Sequence, residues 1–279
     1  MSKKSNRMNN NSIKIILAGE GGQGVQTIAK ALFNAAISAK YNVSYIPSFG
    51  VEQRGTPSVA YITLSHGQIR YPRFEFADVA LVMGERAMDR VAGVINPNTK
   101  LIFDTSNMDT KNLKKPWVKR LGVPATRYAL EKFSPKSYNV LMYGALCKEL
   151  GFDPKISWDS IHSILKDKFK TKEIAEMNHD AFSFGYEIVF EHKNFSKPIY
   201  ETKKTDNIFR NAEKIATISP ERCKGCGICI EKCPVKALSF GEDLGVFSTP
   251  VPDINLEKCI ACGNCRRYCP DGAIKVDKK

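Results

Sequence analysis

The sequence of 279 residues lacks several features that would assign it to a common class of protein. No apolar run approaches the roughly 20 residues that a membrane helix needs, and the N-terminus has no apolar segment of a secretory signal. The motifs G-x-S-x-G, H-E-x-x-H and Walker A are missing, and none of the four histidines has a partner at ligand spacing. We therefore expect a cytoplasmic protein without membrane contact, and we interpret residues 1–11 as a disordered tail.

Acidic residues are scarce relative to basic ones, with 29 Asp and Glu against 42 Lys and Arg and a formal charge of +13. Residues 218–279 hold 10 basic and 8 acidic residues, so +11 of the +13 lies in residues 1–217. The basic residues are scattered and form no recognition motif, which argues against nucleic-acid binding. An anionic ligand, such as a cofactor that carries a nucleotide, is a better explanation of the charge.

Cysteine, by contrast, is plentiful and regularly spaced. Eight of the nine cysteines lie in two copies of C-x2-C-x2-C-x3-C-P, which begin 36 residues apart at Cys223 and Cys259. This is the spacing of bacterial ferredoxins that bind two [4Fe–4S] clusters, in which the fourth cysteine of each copy binds the other cluster. The pattern therefore predicts two clusters and a role in electron transfer. The first set of ligands would be Cys223, Cys226, Cys229 and Cys269, and the second set Cys259, Cys262, Cys265 and Cys233.

A zinc site and a disulfide framework are the alternatives for these cysteines. Zinc sites use pairs of cysteines or sets of cysteine and histidine, whereas here three close cysteines precede a remote fourth that is followed by proline. The spacing therefore favours iron–sulfur clusters. The ninth cysteine, Cys147, lies in an apolar segment, and we interpret it as a buried structural residue.

The N-terminal part opens with an apolar run, residues 13–18, that predicts a buried strand. Gly19-Glu20-Gly21-Gly22-Gln23-Gly24 follows, and residues 25–40 have the periodicity of a helix. Strand, glycine turn and helix together favour phosphate binding, because glycines admit the phosphate to backbone N–H groups and the helix N-terminus favours an anion. Tight packing of the strand on the helix, without a ligand, is the alternative.

An NAD site is disfavoured because residues 41–51 contain no acid, and a dinucleotide site needs Asp or Glu at the end of the second strand. Arg54 lies in the glycine-rich loop that follows, where it could contact a phosphate or carboxylate or be a solvated charge.

The remaining pattern predicts an α/β fold. Expected strands at 59–64, 78–83 and 100–104 and a helix at 85–94 indicate a Rossmann-like, mostly parallel sheet. We further expect a polar surface segment at 105–122, a last strand at 126–130 and helices at 137–150, 159–169 and 172–186. The predicted organisation is an α/β domain over 12–190, a linker over 191–217 and a small α+β ferredoxin-like domain with two clusters over 218–279.

Four segments together with the cluster region resemble a known family. They are GEGGQGV at 19–25, PSFGVEQRG at 47–55, YNVLMYGAL at 138–146 and NHDAFSFGY at 178–186. With the two cysteine runs, the chain resembles the pyruvate synthase-like 2-oxoacid:ferredoxin oxidoreductases, with a gamma subunit fused to a delta, ferredoxin-like subunit.

The resemblance implies a role in converting a 2-oxoacid and CoA to acyl-CoA and CO2, with electrons passing to an external ferredoxin or flavodoxin. In that family thiamine diphosphate and Mg are bound by partner alpha and beta subunits, and this chain lacks the G-D-G…N signature for that cofactor. CoA contacts are expected from the gamma domain. By position they would come from Gly21, Gly22, Gln23, Gly24 and Val25, with Arg54 and Asn139 as further candidates.

Pyruvate is the expected substrate, while 2-oxoglutarate, branched-chain and indolepyruvate enzymes of the same family are alternatives. Two other functions stay open at this point. One is an iron–sulfur electron-transfer module that serves a different redox complex, with a purely structural glycine turn. The other is a redox enzyme that uses NAD or FAD, which the missing ribose acid opposes.

Overall fold

The computed structural model describes residues 12–48, 57–108, 119–169, 171–188, 190, 205–246 and 249–279. The predicted tail at 1–11 and the candidate Arg54 lie outside these residues. The N-terminal domain contains a six-stranded sheet in the order β2-β3-β1-β4-β5-β6. Its strands are β1 (Ile13–Glu20), β2 (Asn42–Ser48), β3 (Pro57–Ser65), β4 (Val79–Val82), β5 (Lys100–Asp104) and β6 (Lys119–Val123).

The sheet is mostly parallel, as predicted. Strands β1, β4, β5 and β6 pair in parallel, whereas β3 lies antiparallel between β1 and β2. Ile15 and Leu17 of β1 contact one apolar core, and Ile16 and Ala18 contact a second core on the opposite face. Because both faces of β1 are covered, its sequence is a continuous apolar run and shows no alternation.

The described residues of this domain form six α-helices. They are α1 (Val25–Ser38), α2 (Met88–Val91), α3 (Ala125–Lys132), α4 (Tyr138–Leu150), α5 (Pro154–Leu165) and α6 (Lys172–Glu187). Helices α4 and α6 approach closely through two glycines, because a Cβ on Gly144 or Gly185 would clash with the backbone of the opposite helix. At its N-terminal end, α4 lies next to the glycine turn, where Asn139 approaches Gly24.

The predicted strand at 126–130 is wrong, because these residues belong to α3. The carboxylate of Asp104, at the end of β5, accepts hydrogen bonds from the N–H groups of Ala125 (3.0 Å) and Thr126 (3.3 Å) and so caps this helix. The last strand is β6, which lies in the segment that we expected to be polar surface. Leu121 in that strand is buried.

Two predicted helices have different bounds. The helix expected at 159–169 begins at Pro154, because the Asp153 side chain accepts from the Ile156 N–H (2.9 Å) and proline suits the first helical position. The helix expected at 85–94 consists of a 3-10 turn, Glu85–Ala87, followed by the four residues of α2.

The C-terminal domain has a three-stranded sheet and a hairpin. The sheet contains β7 (Asn207–Arg210), β8 (Lys214–Ile218) and β11 (Ile274–Lys278), and the hairpin contains β9 (Leu238–Leu244) and β10 (Pro250–Ile254). Short helices α7 (Ile228–Glu231) and α8 (Asn264–Tyr268) lie within the two cysteine runs. The interpretation of residues 207–217 as linker is therefore corrected, since β8 pairs with both β7 and β11. Strand β8 was not predicted because only two of its residues, Ala216 and Ile218, are buried, and the surrounding sequence is polar.

Candidate functional site

The glycine turn connects β1 to α1 and requires glycine at two positions. Gly22 has φ of 109° and Gly24 has φ of 87°, both in the region that favours glycine. Gly24 is the N-cap residue of α1 and has no side chain that could accept a hydrogen bond from the first N–H groups of the helix. These N–H groups are donors without an intrahelical acceptor, which suits an anionic ligand.

Gln23 holds the turn in place. Its Oε1 accepts from the Glu20 N–H (2.7 Å), and its Nε2 donates to the Met83 carbonyl at the end of β4 (3.1 Å). The side chain is thus engaged within the protein, so a ligand would meet the backbone of Gln23. Val25 is also directed inward and is buried in the core.

Asn139, near the start of α4, lies directly against this turn. A Cβ on Gly24 would clash with the Asn139 amide nitrogen, so alanine at 24 would have to displace this side chain as well as adopt a positive φ. The Asn139 Oδ1 is buried and accepts no hydrogen bond from the described residues. An acceptor left in this state costs about 1–3 kcal/mol, which a ligand or water donor would recover.

A cavity of about 510 Å³ lies between the two domains, next to this turn. Its walls include Gly22, Gln23, Thr126, Lys136, Asn139, Phe169 and Asn178 from the N-terminal domain and Gly225, Cys226, Phe240, Leu244, Thr249 and Pro250 from the C-terminal domain. The Lys136 ammonium group lies 5.3 Å from the centre of the Phe240 ring and bridges the domains by a cation–π contact. The glycine turn and the first cysteine run therefore share one cavity.

Sequence reasoning missed this juxtaposition. Lys136 and Phe240 are about 100 positions apart in the sequence, and neither belongs to a motif. The hairpin of β9 and β10 that supplies Phe240, Leu244 and Pro250 was not predicted to approach the glycine turn. No local pattern encodes a contact between two domains, so sequence periodicity could not have found it.

The eight cysteines of the two runs surround two small voids. One void is lined by Cys223, Cys226, Cys229 and Cys269, and the other by Cys233, Cys259, Cys262 and Cys265. Within the described ranges, no three His, Cys, Asp or Glu side chains are grouped to bind a single metal ion. Four thiols spread around a void suit a [4Fe–4S] cube instead, because each of its four irons binds one thiolate.

Backbone hydrogen bonds to sulfur repeat in the two copies. Cys223 and Cys259 accept from the N–H group two residues later, each at 3.4 Å. Cys233 and Cys269 accept from the N–H group four residues later, each at 3.2 Å. Such donors stabilise thiolate charge and tune a bound cluster, so the residues fit the predicted group.

Burial disfavours the charged form of these thiols in the absence of metal. It raises the pKa of Cys223 to about 11 and that of Cys229 to about 12. Iron binding must therefore displace protons from them. Burial also raises the pKa of Cys147 to about 12; this ninth cysteine is fully buried beside α5, as predicted.

Glu20 is a buried acidic residue just before the glycine turn that sequence reasoning did not single out. It is 2% exposed at the end of β1, and its carboxylate lies 3.8 Å from the Arg86 guanidinium. Desolvation raises its pKa, while Arg86 and Lys224 act in the opposite direction. Lys224 follows the first cysteine of the C-terminal run, so the two domains also interact electrostatically here.

A search of the described residues for a membrane-spanning segment is negative: none of their helices combines the necessary length and apolar character.

Two protein families match the sequence. The profile described as "Pyruvate ferredoxin/flavodoxin oxidoreductase" matches residues 14–188, and that described as "4Fe-4S dicluster domain" matches residues 222–273. The first covers 175 of the 279 residues, and the second contains both cysteine runs.

Individual relatives show the same relationship. Ketoisovalerate oxidoreductase subunit VorA of Methanothermobacter marburgensis is 29% identical over 58% of this chain, but the match spans only 34% of VorA. The common gamma subunit of the pyruvate/ketoisovalerate oxidoreductases of Pyrococcus furiosus is 31% identical over 63% of this chain and 96% of its own length.

A solved structure shares the fold. The 2-oxoglutarate:ferredoxin oxidoreductase from Magnetococcus marinus, solved with 2-oxoglutarate, coenzyme A and succinyl-CoA, aligns with a TM-score of 0.58 at 20% identity. The alignment covers 71% of this chain and 35% of that one. At this identity it supports the fold alone.

Proposed function

The chain belongs to the pyruvate ferredoxin/flavodoxin oxidoreductase family, and from this premise we propose that it is the fused gamma and delta subunit of a 2-oxoacid:ferredoxin oxidoreductase. The complex would convert a 2-oxoacid and CoA to acyl-CoA, CO2 and a proton, and pass two electrons to ferredoxin or flavodoxin. Thiamine diphosphate and Mg would be bound by partner alpha and beta subunits. This chain would contribute CoA contacts and two [4Fe–4S] clusters.

One observation carries this proposal: the glycine turn and the first cysteine set border the same cavity of about 510 Å³. CoA is anionic, and the turn offers backbone N–H donors at the start of α1. The unsatisfied Asn139 Oδ1 offers an acceptor for a donor group of the ligand. Lys136 and Lys168, which also line the cavity, add positive charge.

The clusters would supply one-electron chemistry when bound. The residues of this chain hold them by eight thiolates and direct backbone N–H groups at four of the sulfurs. Because Cys226 lines the cavity, the first cluster would lie next to bound CoA. The second would lie further along the relay.

Pyruvate is the substrate that we propose. It is one of the two 2-oxoacids named for the gamma-subunit relative from Pyrococcus furiosus, the other being ketoisovalerate. Residues that contact the 2-oxoacid are expected in the partner subunits. The choice among substrates is therefore tested on the assembled complex, which should reduce ferredoxin fastest with pyruvate when pyruvate, ketoisovalerate and 2-oxoglutarate are compared.

The CoA role is tested by Gly22→Ala in the anaerobically purified complex. A Cβ at Gly22 would meet no protein atom within 4 Å, so it would occupy the space offered to the ligand. Gly151 also has positive φ and open space, but it lies at the C-terminus of α4 and outside the cavity lining. Gly151→Ala therefore also places alanine at a positive φ, which costs about 1–2 kcal/mol in the left-handed region, but without the obstruction.

We expect the KM for CoA to rise at least about tenfold in Gly22→Ala, the loss of roughly one charge-assisted hydrogen bond, and to stay unchanged in Gly151→Ala. Equal KM values in the two variants would show that the turn is structural. A complex that lacks any 2-oxoacid activity, with about eight irons per chain, would instead support an electron-transfer module that serves another enzyme.

A further inference from the structure

The second cysteine run carries an exposed surface with an unusual composition. Ile260 is 54% exposed and Tyr268 is 48% exposed, which places them among the most exposed large apolar side chains in the described ranges. Arg266 and Arg267 lie between them on α8 and are also exposed. These four residues are called the second-copy surface below.

The first cysteine run provides an internal comparison, because each position in it lies 36 residues earlier. Ile260 corresponds to Lys224, which is only 26% exposed and forms an ion pair with Asp271 (2.8 Å). The segment Arg266–Tyr268 corresponds to Ile230–Lys232, so the helical segment carries a charge of +2 in the second copy and 0 in the first. Of the two cysteine runs, only the second carries exposed large apolar side chains and a pair of adjacent arginines.

The two copies also face different surroundings. Cys226 of the first copy lines the cavity between the domains. Its counterpart Cys262 is exposed. The first cysteine set is thus enclosed by the N-terminal domain on one side, whereas the second faces outward.

Two residues of the second-copy surface lie at the second cysteine set: Ile260 follows its ligand Cys259, and Arg266 follows its ligand Cys265. Ile260 lines the void surrounded by Cys233, Cys259, Cys262 and Cys265, and its side chain is at the same time half exposed. A protein bound at Ile260 would therefore approach the second cluster without intervening protein layers. Short distance is the main requirement for rapid electron transfer.

We propose that the second-copy surface docks a small electron-transfer protein with an acidic face. The proposal rests on the proposed function, in which electrons leave this chain for ferredoxin or flavodoxin, and it assigns the exit surface. Arginine and tyrosine are enriched in interfaces, and the second-copy surface contains two arginines and one tyrosine, all exposed. Positive charge steers an acidic partner toward the surface, which suits a brief and repeated encounter.

The test measures binding of an acidic two-[4Fe–4S] ferredoxin to the full chain, loaded with iron under anaerobic conditions and assembled with its partner subunits. In Arg266→Glu/Arg267→Glu, the association rate at low salt should fall at least about tenfold, because electrostatic steering contributes factors of about 10 to 1,000. The loss should diminish at high salt as charges are screened.

Arg210→Glu/Arg222→Glu is the matched control. Both residues are exposed, neither lies in the second cysteine run, and the double substitution changes the net charge by the same amount. We expect its association rate to fall less than that of the arginine variant, because charges outside the contact surface act on the partner over a longer distance. A third variant, Ile260→Ala, removes exposed apolar surface without a change of charge and should also weaken binding.

Each variant must retain the iron content and visible absorption of the wild type. Should the double glutamate variant lose iron, Arg266→Gln/Arg267→Gln replaces it. Wild-type association in the arginine variants, or an equal loss in the control, would overturn the proposal. Protection of Ile260 and Tyr268 from hydrogen exchange or labelling by another subunit, without ferredoxin, would also overturn it.

The result is separable from the proposed function, because the binding assay needs neither CoA nor a 2-oxoacid. A complex that reduces a small viologen dye with pyruvate, while its arginine variants reduce ferredoxin at the wild-type rate, would refute only the docking surface. Arginine-dependent ferredoxin binding in a complex without 2-oxoacid activity would refute only the proposed function.

Discussion

The N-terminal and C-terminal domains are stabilised by different interactions. The N-terminal sheet is covered on both faces, and its two cores contain the aliphatic residues of five strands together with α1 and α4. The described core of the C-terminal domain has only 12 buried residues, of which Cys223, Cys229 and Cys265 are predicted ligands. One domain therefore folds by burial of apolar surface, whereas the other depends on metal.

Removal of iron should have the largest effect and should be confined to the C-terminal domain. Each predicted cluster connects the two cysteine runs, and without metal only unconnected thiols are left. A domain of this size rarely folds on its small core alone. In hydrogen exchange of the full chain, amides of β8 and β11 should lose protection by several orders of magnitude. Amides of β1 and β4 should stay protected.

The contrast between two cysteines sharpens this prediction. Cys229→Ala should lower the iron content from about eight to about four or fewer per chain, because it removes a ligand of one cube. Cys147→Ala should retain all the iron and destabilise only the N-terminal domain. Unchanged iron in the Cys229 variant would contradict the assignment of this cysteine.

Gly185→Val should destabilise the N-terminal domain and leave the iron content of the C-terminal domain unchanged. A Cβ at Gly185 would clash with the Leu141 carbonyl, so α4 and α6 must separate. We expect at least about 3 kcal/mol of destabilisation, the upper range for overpacking, measured by circular dichroism of the helices during denaturation. Gly93→Val is the control, because a Cβ at Gly93 meets no atom within 4 Å. Loss of iron in the Gly185 variant would show that the domains are not independent.

The Lys136 contact tests how strongly the two domains are coupled. Lys136→Met removes the charge over Phe240 and should destabilise the C-terminal domain by about 0.5–1 kcal/mol, the usual strength of an exposed cation–π contact. Denaturation followed by cluster absorbance measures this effect. Lys132→Met is the control variant, because the Lys132 ammonium group makes the same kind of contact with Tyr128 and Phe184 within the N-terminal domain. It should leave the cluster transition unchanged.

Glu20→Gln should have the smallest effect, which depends on pH. Desolvation raises the pKa of Glu20, so the folded protein holds this proton to higher pH than the unfolded chain does. The contribution to stability is therefore present at low pH and is lost as pH rises through the folded pKa. The variant should gain thermal stability relative to the wild type at about pH 7 and lose that gain near pH 4. A difference independent of pH would show that folding leaves the pKa of Glu20 unchanged.

The sequence predicted the sheet because its strands are buried on both faces and form unbroken apolar runs, as in β1. Strand β6 was not predicted because it begins with the charged residues Lys119 and Arg120 and has only three buried residues. Strand β8 was missed for a similar reason. Predictions from local periodicity fail where a strand is short and half exposed.

The candidate site shows a different limit. The glycine turn and the cysteine runs are contiguous in sequence, so their chemistry was predictable from residue types and spacing. The cavity depends on long-range contacts such as Lys136 to Phe240. Side chains of these types occur throughout the chain, and only the three-dimensional packing of the domains distinguishes this pair.

The position of β3 has a consequence for synthesis of the chain. Strand β1 pairs with β3 and β4, which follow it by about 40 and 60 residues, rather than with the nearer β2. A nascent chain that ends at β2 has no partner for either edge of β1. The glycine turn can therefore acquire its final shape only after β4 has left the ribosome, and until then an apolar strand stays exposed to aggregation or to chaperones.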